Sequence, residues 1–276
     1  MDDKAAGLAL RFEHATVCFD GDDKPALDDV SFEVPAGDTR ILFGAAGSGK
    51  TVLLKTVLGL LKPASGRVFV FGQEITRMKE DDLFDVRSKI GMLFQESALF
   101  DSMTVEENVA YPLLNQRAIR CPADEAEKRA VDALNFVELG STLDKFPSEL
   151  SGGMRRRVGV ARAVVTDPPL VLFDSPTAGL DPVTANTIVK LIVKQRDVKH
   201  TTTLLVTHRY QNGNLLANYH YEPGTDSLNP NRNGSRGPGR TKFLGFKDGK
   251  LIFEGGQEEL EASKDPYISK FVNHNG

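Results

Sequence analysis

The sequence predicts an α/β fold with a mainly parallel central sheet, and three observations predict it. Short apolar segments alternate with stretches of helical spacing, a pattern typical of parallel sheets; they lie at 39–43, 89–95, 169–174 and 201–208. Two earlier segments, 9–19 and 26–34, alternate apolar and polar residues as half-buried antiparallel strands do. A glycine-rich loop joins the first apolar segment to a helical stretch at 51–61. We therefore expect a single domain over 1–276, with an antiparallel β flank beside the sheet.

The composition excludes some classes of function. The 276 residues carry 34 Lys and Arg against 38 Asp and Glu, a net charge of −4, which offers no electrostatic basis for binding nucleic acid. The N-terminus does not resemble a signal peptide, and no apolar run reaches the roughly 18–20 residues of a membrane span. We expect a cytosolic protein; if it works at a membrane, it does so through a partner. Cys18 and Cys121 could pair, but their wide separation favours two free thiols in a reducing compartment.

The segment G-A-A-G-S-G-K-T at 44–51 matches the phosphate-loop pattern and stands between a predicted strand and a predicted helix. Glycines let main-chain N–H groups converge on phosphates at a helix N-terminus, where the helix dipole favours anions. Lys50 would place a positive charge on the same phosphates, and the Thr51 hydroxyl would ligate Mg²⁺. The other residues expected to contact the nucleotide here are Gly44, Ala45, Ala46, Gly47, Ser48, Gly49 and Val52.

Two further motifs narrow the interpretation. Four apolar residues lead into Asp174, which fits the second Mg²⁺-binding group of phosphate-loop enzymes. The segment L-S-G-G-M at 150–154 opens a basic helix about twenty residues earlier. With these motifs, the chain resembles the ATP-binding subunits of ABC transporters over roughly 8–210 and 242–262.

That resemblance implies a phosphate-loop core formed by 1–94 and 166–276, with a helical subdomain inserted at 95–165. It also implies ATP and Mg²⁺ as cofactors, and a homodimer or heterodimer of ATPase subunits. An integral-membrane permease would hold the protein on the cytoplasmic face of the inner membrane.

Individual roles follow from the same resemblance. Phe19 matches the aromatic residue that stacks on adenine, and His208 matches the histidine that contacts the γ-phosphate. Gln95 matches the residue that touches Mg²⁺ and the attacking water and connects to the permease. Ser151, Gly152 and Gly153 would close over the γ-phosphate bound to the opposite subunit, and Asp181 belongs to the loop that signals between the two sites.

A narrower resemblance concerns residues 91–113, G-M-L-F-Q-E-S-A-L-F-D-S-M-T-V-E-E-N-V-A-Y-P-L. This segment is similar to the ATPases of Mla-type phospholipid transporters, which work with MCE-domain lipid-binding proteins. It implies lipid transport between bacterial membranes. ATPases of amino-acid or other importers are the alternative.

Ser175 departs from the family pattern, which has glutamate at this position. A serine hydroxyl is a poor base at neutral pH, and general-base catalysis is worth roughly 10²–10⁴-fold in rate. Three explanations stay open: slow hydrolysis, pairing with a subunit that carries the glutamate, or an engineered hydrolysis trap. A regulatory switch that binds ATP without turnover is the opposing hypothesis.

Residues 211–241 are the second departure. They are rich in Asn, Gly and Pro and longer than the family pattern, which predicts a mobile polar loop or a hairpin with a disordered tip. We interpret the segment as a solvated insertion, with a partner-docking element as the alternative.

Overall fold

A computed structural model describes residues 7–21, 24–231 and 240–273. Within these ranges, no helix combines the length and apolar character needed to cross a membrane. Cys18 and Cys121 are both free thiols, as expected.

The order of elements in the described residues follows the predicted alternation. The strands are β1 (Leu8–Val17), β2 (Leu27–Pro35), β3 (Thr39–Phe43), β4 (Ser65–Val70), β5 (Gln73–Glu74), β6 (Ile90–Leu93), β7 (Leu170–Asp174), β8 (Thr202–Val206), β9 (Tyr219–Glu222), β10 (Ser227–Pro230), β11 (Thr241–Lys247) and β12 (Lys250–Gly255). The helices are α1 (Lys50–Val57), α2 (Glu80–Arg87), α3 (Val105–Asn115), α4 (Ala123–Phe136), α5 (Gly152–Val164), α6 (Pro182–Lys199), α7 (Tyr210–Asn218), α8 (Gln257–Glu261) and α9 (Pro266–Asn273).

The central sheet has the strand order β12-β11-β3-β8-β7-β6, and all neighbours from β11 to β6 pair in parallel. Both faces of this sheet are covered. Leu42 and Leu172 pack in one hydrophobic core, while Ile41 and Phe173 pack in the other. Burial on both faces explains why these strands are continuous apolar runs, which is typical of parallel sheets.

The antiparallel flank is present as predicted. Its strand order is β2-β1-β4-β5, and the Phe12 and Phe32 rings of β1 and β2 stack with centroids 4.8 Å apart. The chain passes from β2 of this flank into the central sheet at β3 and returns to the flank with β4 and β5. This confirms the predicted combination of a mainly parallel sheet and an antiparallel β region.

A helical region lies between β6 and β7. Helices α3, α4 and α5 pack on one another, and α3 begins with a capping box in which the Thr104 side chain and Glu107 exchange hydrogen bonds with each other's main-chain N–H. The residues 104–165 are largely helical, and Pro112 lies inside α3 rather than at one of its ends. The division into subdomains at 95 and 165 stays a prediction.

The segment 211–241 is more ordered than its composition suggested. It begins in α7 and continues as the antiparallel hairpin β9–β10, so the expected mobile loop is wrong for this part, while the alternative hairpin is present. Gly213 explains the close packing of α7 on β11. A Cβ at this position would lie 2.8 Å from the Phe243 ring, so only glycine lets the helix approach the strand this closely. Residues 232–239, where a disordered tip was expected, lie outside the described residues.

Strands β11 and β12 form an antiparallel hairpin. Asp248 and Gly249 have φ of 50° and 78°, the pair of positive angles that a type I′ turn requires. Beyond it, α8 and α9 were not predicted. They bring the C-terminal part of the chain back to the sheet.

Candidate active site

The phosphate loop joins β3 to α1, as its pattern predicts. Gly44, Gly47 and Gly49 all have positive φ, at 149°, 76° and 100°. A Cβ on Gly44 would lie 2.2 Å from the Phe246 carbonyl oxygen, and one on Gly49 would lie 2.4 Å from that of Ala26. A Cβ on Gly47 would meet nothing within 4 Å. The loop is therefore packed at both ends and open in its middle, where an anion could approach main-chain N–H groups at the start of α1.

The Lys50 ammonium lies inside this loop. Its Nζ donates to the carbonyl oxygens of Gly44 (3.0 Å) and Ala45 (2.7 Å) and to Ser48 Oγ (2.9 Å). Burial lowers the pKa of Lys50 to about 8, although the Asp174 carboxylate acts in the opposite direction. A poorly solvated cation beside an open loop is suited to binding a phosphate group. The phosphate would offer Lys50 negatively charged oxygens in place of the neutral oxygens that it binds now.

Thr51 and Asp174 are hydrogen-bonded at the carboxyl edge of the central sheet. Thr51 Oγ1, in the first turn of α1, donates to Asp174 Oδ2 at the end of β7 over 2.8 Å. A hydroxyl beside a carboxylate is a set of hard oxygen donors, which suits Mg²⁺. Within the described ranges no three His, Cys, Asp or Glu residues gather as a metal cage. The donor set thus fits a cation that takes its remaining ligands from phosphates and water.

Ser175 follows Asp174 directly and is buried, with 5% of its surface exposed. Its φ is 48°, its N–H donates to the Val206 carbonyl (3.1 Å), and its Oγ donates to Asp174 Oδ1 (3.3 Å). The backbone thus turns so that the side chain at 175 borders the same cleft as the phosphate loop. What it presents there is a hydroxyl already bonded to the neighbouring carboxylate.

His208 and Gln95 border the cleft from two other loops. His208 Nδ1 lies 3.1 Å from the Gly44 carbonyl oxygen, which can only accept, so this contact assigns the ring proton to Nδ1. Burial, and then the nearby Lys50 charge, lower the pKa of His208. Both effects favour the neutral ring, in which Nε2 can accept a hydrogen bond.

These groups surround one cleft of about 780 Å³, within the size range of small-molecule sites. Phe19 is 41% exposed at its margin, where a planar ligand could stack on the ring. The predicted residues that line the cleft are Phe19, Ala46, Gly47, Ser48, Gly49, Lys50, Thr51, Val52, Gln95, Ser175 and His208.

Seven predicted residues are not among those that line this cleft. Gly44 and Ala45 accept hydrogen bonds from Lys50, and Asp174 accepts one from Thr51, so these three support residues that line it. The other four lie at the starts of two helices. Ser151 caps α5 by accepting from the Met154 N–H (3.2 Å), and Gly152 and Gly153 form the first turn of that helix. Asp181 caps α6 by accepting from the N–H groups of Val183 and Thr184 at 3.0 Å each. In a single chain Ser151 and Asp181 act as helix caps, and the predicted contact of all four residues with nucleotide requires a second subunit.

Several residues at the site were not predicted. Lys24, Pro25, Ala26, Asp248 and Gly249 also line the cleft. The Arg156 guanidinium donates to the main-chain carbonyls of Gln95 and, at 3.4 Å, of Ala178, so it ties two site loops together. In the sequence Arg156 is one of three consecutive arginines, and nothing in that run distinguishes it.

The sequence is similar to those of known ATP-binding proteins of transporters. The sequence model of the ABC transporter family matches residues 27–178. Over 267 residues, the chain is 40% identical to the probable ribonucleotide transport ATP-binding protein mkl of Mycobacterium leprae, covering 97% of this chain and 69% of that protein. It is 41% identical over 183 residues to the methionine import ATP-binding protein MetN of Carboxydothermus hydrogenoformans, covering 66% of this chain and 53% of MetN. The chain thus spans about half the length of that second relative.

The fold agrees with solved structures as well. The dimeric ATP-binding cassette MJ0796, in a post-hydrolysis state bound to ADP and Pi, superposes with a TM-score of 0.75 and 27% identity. The match covers 90% of this chain and 98% of the cassette. Motifs, cleft geometry and relatives agree, and the chain belongs to the ABC transporter family as an ATP-binding subunit.

Proposed function

We propose that this chain powers an ABC transporter by binding and hydrolysing ATP with Mg²⁺ in the cleft around the phosphate loop, and that the cargo is phospholipid. The observation that carries the ATPase part is the convergence of Lys50, Thr51 and Asp174 on one open glycine-rich loop. Bound Mg²⁺ would neutralise phosphate charge during transfer.

Different residues of the chain bind the phosphates, the metal ion and the adenine ring. Main-chain N–H groups at the start of α1 and the Lys50 ammonium bind and orient the phosphates. Thr51, Asp174 and Gln95 would hold the metal ion. The His208 ring, whose Nδ1–H donates to the Gly44 carbonyl, lines the cleft on the side that we assign to the γ-phosphate. Phe19 stacks on the adenine ring.

At position 175 the chain has no base for the attacking water. The Ser175 hydroxyl donates to Asp174, and a hydroxyl oxygen is too weakly basic to take a proton from water at neutral pH. Phosphate binding, metal binding and closure depend on other residues. We therefore propose slow hydrolysis, or a heterodimer in which another subunit supplies the glutamate.

The second subunit is needed for a complete site. Ser151, Gly152, Gly153 and Asp181 lie outside their own cleft, and the helix N-terminus of α5 is suited to an anion on a facing copy. The dimeric state of the MJ0796 cassette supports this arrangement. Closure of two such subunits over ATP, with the helical lobe at 95–165 moving against the core, would transmit motion to a permease.

The surface for the permease is proposed at α3. A groove of about 610 Å³ is lined by Met103, Glu106, Tyr111 and Leu114 among others, and Leu114 is 51% exposed. Burial, with carboxylates nearby, raises the pKa of Glu106. An apolar floor with acidic sides would suit a basic amphipathic helix of an integral-membrane partner on the cytoplasmic face of the membrane.

Phospholipid as the cargo, with an MCE-domain protein as a further partner, is supported by the resemblance of residues 91–113 to Mla-type ATPases. The second candidate is import of a small solute, and the names of the relatives favour it, since they mention ribonucleotide transport and methionine import.

The decisive experiment is purification of the chain with its membrane partners from its native cell. We expect a permease accompanied by an MCE-domain protein, and phospholipid in the purified complex. A periplasmic solute-binding protein in the complex would replace the lipid assignment with solute import. A chain recovered without any permease would contradict the transporter role.

A further inference from the structure

Tyr267, in the C-terminal helix α9, is bonded to the phosphate loop. Its hydroxyl oxygen accepts from the Ala45 N–H over 2.7 Å, and the hydroxyl donates to the Phe246 carbonyl over 2.7 Å. A main-chain N–H can only donate and a carbonyl can only accept, so the direction of both bonds is unambiguous. Tyr267 thus joins the start of the loop to the end of β11.

The N–H that Tyr267 binds belongs to the same peptide unit as the Gly44 carbonyl. That carbonyl accepts from Lys50 Nζ at 3.0 Å and lies 3.1 Å from His208 Nδ1. A peptide unit is planar and rigid, so rotating it moves its N–H and its carbonyl together. The orientation of this peptide plane therefore couples Tyr267 to Lys50 and His208, the two side chains that we assign to the phosphates.

The position of α9 does not depend on the Tyr267 hydroxyl. The Phe271 ring stacks on Phe43, the last residue before the loop, with centroids 4.2 Å apart and planes at 15°. Ile268 is buried, and Asp265 accepts from the Tyr267 N–H at 2.7 Å at the start of the helix. Removing the hydroxyl alone should leave the helix and the ring in place.

We propose that Tyr267 is a positioning residue for nucleotide binding: its hydroxyl sets the Gly44–Ala45 peptide plane and through it the placement of Lys50 and His208. Tyr267 does not line the cleft, so it acts through the loop rather than on the nucleotide. The inference depends on the proposed binding of MgATP at this loop.

The test compares Tyr267→Phe with Tyr221→Phe in the full chain. The Tyr221 hydroxyl donates to Asp226 Oδ1 over 2.6 Å in the β9–β10 hairpin, so the control also loses one bonded tyrosine hydroxyl, but away from the loop. Titration with a fluorescent ATP analogue and Mg²⁺ measures Kd, and thermal unfolding without nucleotide measures Tm. We expect Tyr267→Phe to raise Kd about threefold to tenfold, the value of one hydrogen bond, and Tyr221→Phe to leave Kd unchanged. The Tm of Tyr267→Phe should fall no further than that of the control.

A second variant separates positioning from general loosening of the C-terminal helix. Phe271→Leu removes the ring stack on Phe43 and keeps the hydroxyl, so it should lower Tm with a smaller change in Kd than Tyr267→Phe. An increase in Kd below about threefold for Tyr267→Phe, or an equal increase for Phe271→Leu, would overturn the inference. Failure of the unmodified chain to bind MgATP would instead overturn the proposed function.

Discussion

Replacing Ser175 with glutamate should increase ATP turnover by two to four orders of magnitude. A carboxylate at this place would accept a hydrogen bond from the attacking water, and general-base catalysis is worth roughly 10²–10⁴-fold. That gain corresponds to about 2.7–5.5 kcal/mol of the activation free energy. The backbone does not oppose the change, because serine already occupies the positive φ of 48° that glutamate would adopt.

The structure also predicts what the substitution costs. Ser175 Oγ lies 3.3 Å from Asp174 Oδ1, so the new carboxylate would come close to an existing one. At about 5 Å and an effective dielectric constant of 20, two like charges repel by about 3 kcal/mol. Without nucleotide, Ser175→Glu should therefore have a lower Tm than the unmodified chain, and Mg²⁺ with a nonhydrolysable ATP analogue should remove most of the difference.

The assay is steady-state phosphate release at saturating MgATP. Ser175→Gln is the matched control, since it has the size of glutamate without the carboxylate, and it should remain as slow as the unmodified chain. If the unmodified chain already turns over at about 1–10³ s⁻¹, an ordinary range for enzymes, and glutamate adds nothing, the reasoning about Ser175 is refuted.

Three further predictions concern the metal, acid stability and the core of the site. Thr51→Val keeps the side-chain shape and removes the hydroxyl that pairs with Asp174, so the Mg²⁺ concentration needed for half-maximal ATP binding should rise roughly tenfold or more; an unchanged Mg²⁺ midpoint would contradict the assignment. The Tyr221 hydroxyl and then Lys190 hold the pKa of Asp226 well below its usual range, so its stabilising effect is present above the unfolded pKa of about 3.9 and is lost as pH falls. Asp226→Asn should accordingly lower Tm at pH 7, with a difference that shrinks below about pH 4; a constant difference down to about pH 3 would count against this. The buried Asn212 amide donates to Thr177 Oγ1 (2.7 Å) and Thr207 Oγ1 (3.3 Å), so Asn212→Ala should reduce the free energy of unfolding in urea by about 1–3 kcal/mol, whereas a loss below about 0.5 kcal/mol would be that of an ordinary surface substitution.

The parts of the site that could be predicted are those encoded by neighbouring residues. The phosphate loop needs a strand, glycines and a helix in succession, and all three are visible in 39–61. The meeting of Thr51 with Asp174 follows from topology, since loops at the carboxyl ends of parallel strands converge on one edge of the sheet. These features were expected and are present.

The parts that could not be predicted depend on contacts between distant segments. Tyr267 lies 222 positions from the Ala45 it binds, and no pattern around it distinguishes it from other aromatic residues of an amphipathic helix. Helix α7 was not predicted because Asn, Gly and Pro, which disfavour helices, are frequent in 211–241. Glycine disfavours a helix interior, yet Gly213 is the residue that lets α7 pack on Phe243.

Rapid-quench single-turnover measurement, with the chain in excess over radiolabelled MgATP, tests the inference that this cleft binds MgATP fully while Ser175 limits water attack. We expect that labelled ATP stays bound, that phosphate forms slowly, and that Ser175→Glu forms it 10²–10⁴ times faster from the same bound state. Absence of bound ATP, or equally fast phosphate formation in both chains, would contradict it.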